Sequence, residues 1–524
     1  MRSALLVAVP TLLLWGVVSF ACGNNDESSS FGDAGADSTS IDGSGSGSGG
    51  AYGDGNCGLL CGDGGGPTAC QGLQCAAVDC AAMGMPETSL TGHVYDPAGN
   101  LPLYNVYVYV PNATPAPIAP GNPECNQCEA PASGSPIIGI PTGPDGSFSI
   151  RKGMGNAWGV PAGNNGGKGI PLVIQVGKWR KQLVIPNVSA CAPNDLDAIF
   201  NTGTGTARQL RLPAKGSEGD MPLIAFTSGC DPAECFLRNV GIDDSEFAPP
   251  GTAGKHVHFY TGQDSTNDEA ASAVDGGNTP AQTYAWWTSS TSLLEYDIIF
   301  NACECYPYDR GALAYGAIDK YLRGGGRLFT THYYGNWFIP TTGTSDLQSV
   351  AQWESVAAAG RENGWQGMPL PMSPESDAVD QTFPKGMAYA AWLQDAGISS
   401  SLGNIALADV RDDILSPAPA GCSSSQSCLS TQWLYNPANM HPRYLSFNVP
   451  VDAPATQQCG RAVYSDVHLS GVSNDGTFPT ECNYPKIDAP PGHLKNEQAL
   501  EFLFFDLSSC VQNDTQPPPT PPLQ

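Results

Sequence analysis

His332, Asp466 and His468 are the residues whose types and placing offer this chain a chemistry. His332 stands in Thr330-Thr-His-Tyr-Tyr-Gly335 after an apolar run, and Asp466 and His468 close Gly460-Arg-Ala-Val-Tyr-Ser-Asp-Val-His468. On an extended strand, residues i and i+2 project to one face, so Asp466 and His468 share it. With His332 they make a two-histidine, one-carboxylate set, suited to a divalent metal or to acid/base catalysis. The plainer alternative is hydrogen-bonded polar groups closing strand ends. His256 and His258 also share a face, but at the amino end of Lys255-His-Val-His-Phe-Tyr260, the wrong edge for a ligand. No P-loop, His-Glu-x-x-His or Gly-x-Ser-x-Gly signature calls for another cofactor.

Cys303-Glu-Cys305 offers a nucleophile beside a base, since the thiolate is the reactive form. Eighteen cysteines, however, are far more than a reducing compartment tolerates, and disulfides are the expected fate of most. Cys303 and Cys305 are therefore assigned to bridges, with Cys230 and Cys235 at the neighbouring strand end. Cys57, Cys61, Cys70, Cys75 and Cys80 fall close together with no histidine nearby, which favours a cystine knot over zinc. Cys422 and Cys428 close a Ser-rich loop. Cys125, Cys128, Cys191, Cys459, Cys482 and Cys510 complete the disulfide candidates. Trp286, Trp287, Trp337 and Trp365 could stack on a sugar ring, although such residues are more often core.

The elements that must position these residues follow from patterning. Met221–Thr227, Lys255–Tyr260, Tyr296–Asn301, Arg327–Thr331, Arg443–Val449 and Arg461–Val467 read as strands. Ala314, Ala317, Ile318, Tyr321 and Leu322 have helical spacing and stop at Gly324-Gly-Gly326, and Ala499, Leu500, Leu503, Phe504 and Leu507 mark a closing helix. Alternating strands and helices imply a parallel α/β sheet, whose carboxyl strand ends meet ligands. Those ends are Thr227–Cys230, Ala302–Cys305, His332–Gly335 and Asp466–His468. Upstream, short strands with Gly/Pro turns, among them the alternating Asn105-Val-Tyr-Val-Tyr-Val110, imply a β-sandwich. A single (β/α)8 barrel is excluded, because the first half has no crossover helices.

Composition sets the compartment. The 524 residues carry a net charge of −27, which excludes nucleic acid as a partner. Met1-Arg2, an apolar run from Ala4 to Val18, and Ser19-Phe20-Ala21 before Cys22 form an export signal too short to span a membrane. Cys22 directly after the cut resembles the lipidated cysteine of bacterial lipoproteins, and Gly23 beside it fits that family's outer-membrane sorting. The resemblance implies a membrane partner reached through lipid. From Cys22 through Glu87 nine acids meet no Lys or Arg, and Ser44-Gly-Ser-Gly-Ser-Gly-Gly50 has no apolar periodicity. Such a stretch cannot offset its ordering entropy and reads as a tether.

Two further resemblances concern the folded parts. Thr91-Gly-His-Val-Tyr-Asp-Pro-Ala-Gly-Asn100, followed by Pro144-Asp-Gly-Ser-Phe148, resembles the carboxypeptidase regulatory-like (transthyretin-like) sandwich, with an insertion carrying Cys125-Asn-Gln-Cys128. That family implies a spacer or adhesion role. Tyr296-Asp-Ile-Ile-Phe, a helix, then Gly325-Gly-Arg-Leu-Phe-Thr-Thr-His332 resembles the class I glutamine-amidotransferase-like fold. Its nucleophilic Cys is replaced by His332, as in the trehalose-utilisation-type branch, so glutaminase activity is not implied.

The resulting expectation is multidomain, α/β plus all-β. It comprises a signal peptide (1–21), a disordered tether (22–56), a Cys-rich segment (57–87), a β-sandwich (88–212), a Rossmann-like parallel α/β sheet domain (213–512) and a Pro-rich tail (513–524). The expected function is a non-catalytic binding or structural module with a carbohydrate or protein ligand, lipid-anchored at the outer membrane or surface of a Gram-negative bacterium. The alternative is a metal-assisted hydrolase of a carbohydrate or peptide-like substrate, working through His332, Asp466 and His468.

Overall fold

Alternating apolar residues at 105–110 do form a strand, but one buried on both faces. β2 (Tyr107–Pro111) is buried at every position. Val106, Val108 and Val110 enter the main core, while Tyr107 and Tyr109 pack with Val173 on the opposite side. The computed structural model describes residues 70–523 except 127, 129–130, 154–157, 228, 230, 232, 263–275, 278, 305–307, 340–345, 355–373, 409, 420–421, 423–427, 470–477, 480–481 and 483–492. The signal peptide, the tether, Cys22, Cys57, Cys61, Cys230, Cys305 and Trp365 lie outside the described residues.

β2 belongs to a four-stranded antiparallel sheet in the order β3 (Pro136–Pro141), β2, β5 (Ile170–Val176), β6 (Trp179–Ile185). A three-stranded sheet has the order β4 (Ser147–Ile150), β1 (Ser89–His93), β7 (Pro193–Asp195), with β1 antiparallel to β4 and parallel to β7. Leu90, Phe148 and Ile150 from the smaller sheet share one buried core with Val108, Leu172 and Ile174 from the larger.

The third sheet is the frame for the chemistry. Its six parallel strands run in the order β19 (Gly460–Ser465), β12 (Arg327–Thr331), β11 (Ile298–Asn301), β8 (Ile224–Thr227), β10 (Val257–Tyr260), β9 (Phe247–Ala248). Chain order runs one way from β8 to β10 and the other way from β8 to β11, so a topological switch point falls between β8 and β11. Four further strands extend the sheet beyond β19: β18 (Pro442–Val449), β17 (Thr431–Tyr435), β14 (Glu375–Val379) and β15 (Asn404–Leu407), all antiparallel to their neighbours. The sheet is therefore mixed, with ten strands, where the sequence pattern implies a parallel one. The reason is local: the link from Val449 to Gly460 holds no crossover helix, and without one the chain returns antiparallel.

The helix Gly311–Arg323 buries Ala314, Ala317, Ile318, Tyr321 and Leu322, as its spacing implies. It feeds β12 through Gly325, whose φ of +102° suits glycine and whose added Cβ would lie 2.4 Å from the Glu124 carbonyl oxygen. No helix among the described residues is long and apolar enough to cross a membrane.

The boundary expected at 212/213 is crossed by packing and by covalent bonds. Tyr104 stacks on Phe502 and Trp179 meets Phe505 edge-on, so the closing helix His493–Ser508 packs against the four-stranded sheet and the loop that leads into it. Residues 69–524 form one compact unit. The described disulfides are Cys70–Cys75, Cys80–Cys191, Cys125–Cys459, Cys128–Cys510, Cys235–Cys482 and Cys422–Cys428. Cys80 thus leaves the expected local knot to pair with Cys191, and Cys235 bonds Cys482 rather than a cysteine at the end of β11.

Two buried charge clusters give measurable consequences. Arg461 Nη2 lies 2.7 Å from Asp506 and 2.9 Å from Asp514, and Lys385 bonds the same two acids. Burial alone would raise the Asp514 carboxyl, but Arg461 and Lys385 overrule it and hold the group well below the usual carboxylate range. Its stabilisation is present above the ordinary carboxylate pKa and lost as pH falls below it. Asp514→Ala leaves two buried cations to share the one carboxylate of Asp506 and is expected to cost about 3–5 kcal/mol in chemical denaturation at neutral pH.

The second cluster has the opposite sign. Asp96 and Glu501 place two carboxyls together, and burial, reinforced for Glu501 by Asp96, raises both, Asp96 to about 7. Folded values above unfolded ones mean that stability is greatest in acid and is lost as pH rises toward neutral. Glu501→Gln is therefore expected to lose less thermal stability than the parent between about pH 5 and about pH 8. An unchanged pH profile would show that the two groups do not share a proton.

Candidate metal centre

Four parallel strands, β8, β11, β12 and β19, bring their carboxyl ends to the switch point. Buried polar groups tie these ends together. Asn301 Nδ2 donates to Thr227 Oγ1 at 2.8 Å, and Trp337 Nε1 donates to Asn301 Oδ1 at 3.1 Å.

Cys303 follows β11, and its backbone N–H donates to Thr331 Oγ1 at 3.1 Å. It is a thiol, fully buried, with Sγ 3.0 Å from His332 Nδ1. The expectation of a disulfide here is corrected. Abundant cysteine in an exported chain favours pairing on average, yet this sulfur is packed against an imidazole.

His332 ends β12 at a sharp turn with φ of +50°, a left-handed conformation that is costly outside glycine and that concentrates at functional sites. Tyr464 fixes the turn by donating its hydroxyl to the His332 carbonyl at 2.9 Å. His332 is 1% exposed, and its Nε2 has no hydrogen-bond partner among the described residues. Burial first, then the neighbouring His468 and Arg411, push its pKa well below the usual histidine value. A neutral imidazole disfavours a thiolate–imidazolium pair with Cys303 and offers a lone pair to a metal.

His468 lies against His332, ring centroids 3.7 Å apart. Its Nδ1 is 2.5 Å from Asp231 Oδ1, and Asp231 Oδ2 accepts the Leu469 N–H at 3.3 Å. Asp231 reaches this position because the loop after β8 runs hard against Cys303. A Cβ on Gly229 would lie 2.0 Å from the Cys303 carbonyl oxygen, so only glycine fits. A carboxylate on Nδ1 fixes the tautomer and leaves Nε2 as the donor atom, the outer-shell arrangement typical of metal-bound histidine.

One donor atom from each of Cys303, His332 and His468 lies within 4.8 Å of the others. Asp466, expected as the third ligand, is not in this cluster. The chain bends at Asp466 after β19 ends at Ser465, so the strand alternation that would align it with His468 fails there. Its Oδ2 instead accepts the Asp413 N–H at 2.7 Å, and its Oδ1 lies 3.1 Å from the Tyr464 hydroxyl. Burial and Asp413 raise its pKa well above the usual range, which suits a protonated structural acid. Beside Cys303, Glu304 pairs with Arg310 and accepts the Tyr334 hydroxyl at 2.6 Å, bracing the loop after β11.

The other sequence candidates have structural partners. His256 Nδ1 lies 2.6 Å from Glu246, and His258 bonds the Tyr296 hydroxyl at 2.9 Å and the Thr252 carbonyl at 3.1 Å. Trp286, Trp287 and Trp337 are buried in one aromatic cluster, which removes them as an open sugar platform. Asp231 has one signal in the sequence, its place in the loop four residues after the end of β8.

No family model and no curated protein matches this chain. Among solved structures, one titled "mmIFT52 N-terminal domain" is similar at 11% identity and a TM-score of 0.29, covering 55% of this chain and 97% of that one.

Proposed function

We propose that this is an exported envelope protein, lipid-anchored through Cys22, whose large sheet holds a transition-metal ion at Cys303, His332 and His468. The observation that carries this is the clustering of one sulfur and two imidazole donors at the switch point, with Asp231 fixing His468. Sulfur with two nitrogens suits zinc or copper and does not suit calcium or magnesium. Zinc is the ion proposed, because three protein donors leave a fourth tetrahedral position open. There the metal would make a bound water acidic enough to attack near neutral pH. The protein's part is to hold that position. Cys303 and His332 are fixed by burial, His468 by Asp231, and the left-handed turn at His332 sets the imidazole against the thiol. The chemistry is hydrolysis of a carbohydrate or peptide-like substrate. A non-catalytic metal site is the second reading, favoured by the burial of Cys303 and His332; the His468–Asp231 pair serves either.

The finer fold follows the same proposal. The two smaller sheets are read as a carboxypeptidase regulatory-like sandwich, and the parallel half of the large sheet as amidotransferase-like, with His332 at the elbow. Oxidised disulfides support export. Radiolabelled palmitate should enter the parent chain and not Cys22→Ala.

The metal reading is tested by competition with a chromogenic zinc chelator. Asp231→Asn is expected to weaken zinc binding about 10–100-fold. Affinity equal to the parent's would remove the proposed role of Asp231.

A further inference from the structure

A cavity of about 360 Å3 lies at the opposite edge of the large sheet, against the amino ends of its strands. That volume is in the range of small-ligand sites. Pro222, Ile298 and Arg327, at the starts of β8, β11 and β12, line one side, and Lys178 and Trp179 at the β5–β6 turn line another.

The charges on this wall are not equally satisfied. Lys178 Nζ is 2.6 Å from Asp297 and donates to the Ala119 and Gly121 carbonyls. Asp297 also accepts the N–H groups of Gly121 and Leu223. Arg327 is only 7% exposed, and among the described residues it has carbonyl partners alone. Nη1 donates to Gly325 at 2.7 Å and Cys459 at 2.9 Å, and Nη2 donates to Ser509 at 3.4 Å. A guanidinium has five N–H groups, so Nε–H and one Nη2–H remain without a protein acceptor. Burial weakens its hold on the proton, lowering the pKa to about 10. Asp297 acts on it only through space, and a buried cation with no directly bonded carboxylate is costly unless an anion joins it.

We propose that this cavity binds a small monocarboxylate, which takes the open N–H groups of Arg327 while its apolar part lies along the half-buried Ile118 and Pro123. Planar carboxylates match the guanidinium fork. Glu124 at the exposed rim and Asp297 inside oppose a second negative charge, which sets the preference for one carboxylate over phosphate. This site is separate from the metal centre and stands whatever that centre holds.

Titration calorimetry of the full chain with benzoate, and with inorganic phosphate as contrast, tests it. Saturable benzoate binding is expected, weakened at least about tenfold in Arg327→Gln, which corresponds to one lost charge-assisted contact. Asn126→Trp closes the exposed rim without touching Arg327 and should weaken binding likewise, so a misfolded Arg327 variant does not decide the matter. Absent benzoate binding, binding unchanged by Asn126→Trp, or phosphate binding as tightly as benzoate would each overturn the proposal.

Discussion

Serine replacement of both cysteines in Cys125–Cys459 and in Cys128–Cys510 is expected to cost more than twice what either single-pair replacement costs. The two bonds span sequence separations of 334 and 382 residues and join the same two regions. While one remains, it already closes nearly the whole loop, and the other constrains only the short remainder. Each single removal should cost about 2–4 kcal/mol, whereas losing both also opens the loop that the pair closes, about 130 residues once Cys235–Cys482 shortens the path. Denaturant unfolding of the three variants measures this directly. Simple additivity would mean that the Cys125–Cys128 segment is held by its non-covalent contacts alone.

The second large effect is at the metal centre. Cys303→Ser and His468→Ala each remove a donor and are expected to reduce zinc affinity by more than about 100-fold, beyond the range for an outer-shell partner. Asp466→Asn is expected to keep zinc binding and to change stability, because its carboxyl bonds Asp413 and Tyr464 and no imidazole. A sequence-based choice of ligands predicts the reverse order for Cys303 and Asp466, so the pair of measurements separates the two accounts. Zinc bound equally by the parent and Cys303→Ser would leave the cluster without its sulfur.

Regular local patterns carried much of this architecture. The helical spacing at 314–322 and the strand at 327–331 are realised because each buries one continuous apolar set. Residues placed after a strand end at 303, 332 and 468 point to the right sheet edge, since that inference needs only strand direction. What failed depended on contacts remote in sequence or on a local break. Asp231 meets His468 across a separation of 237 residues, with no periodicity to reveal it. The i, i+2 pairing of Asp466 with His468 assumed extended backbone where the chain bends. Cysteine abundance implies a disulfide at Cys303 but says nothing about which sulfur lies beside an imidazole. The alternation of strands and helices implies parallel pairing, whereas β18 returns antiparallel through the helix-free link from Val449 to Gly460.

X-ray absorption at the zinc edge, on protein purified without added chelator and reloaded with one equivalent of zinc, tests the central claim most directly. The expected shell is one sulfur at about 2.3 Å and two imidazole nitrogens at about 2.0 Å, with a light fourth ligand. A shell of oxygen and nitrogen without sulfur, or zinc that washes off before measurement, would contradict a centre built from Cys303, His332 and His468.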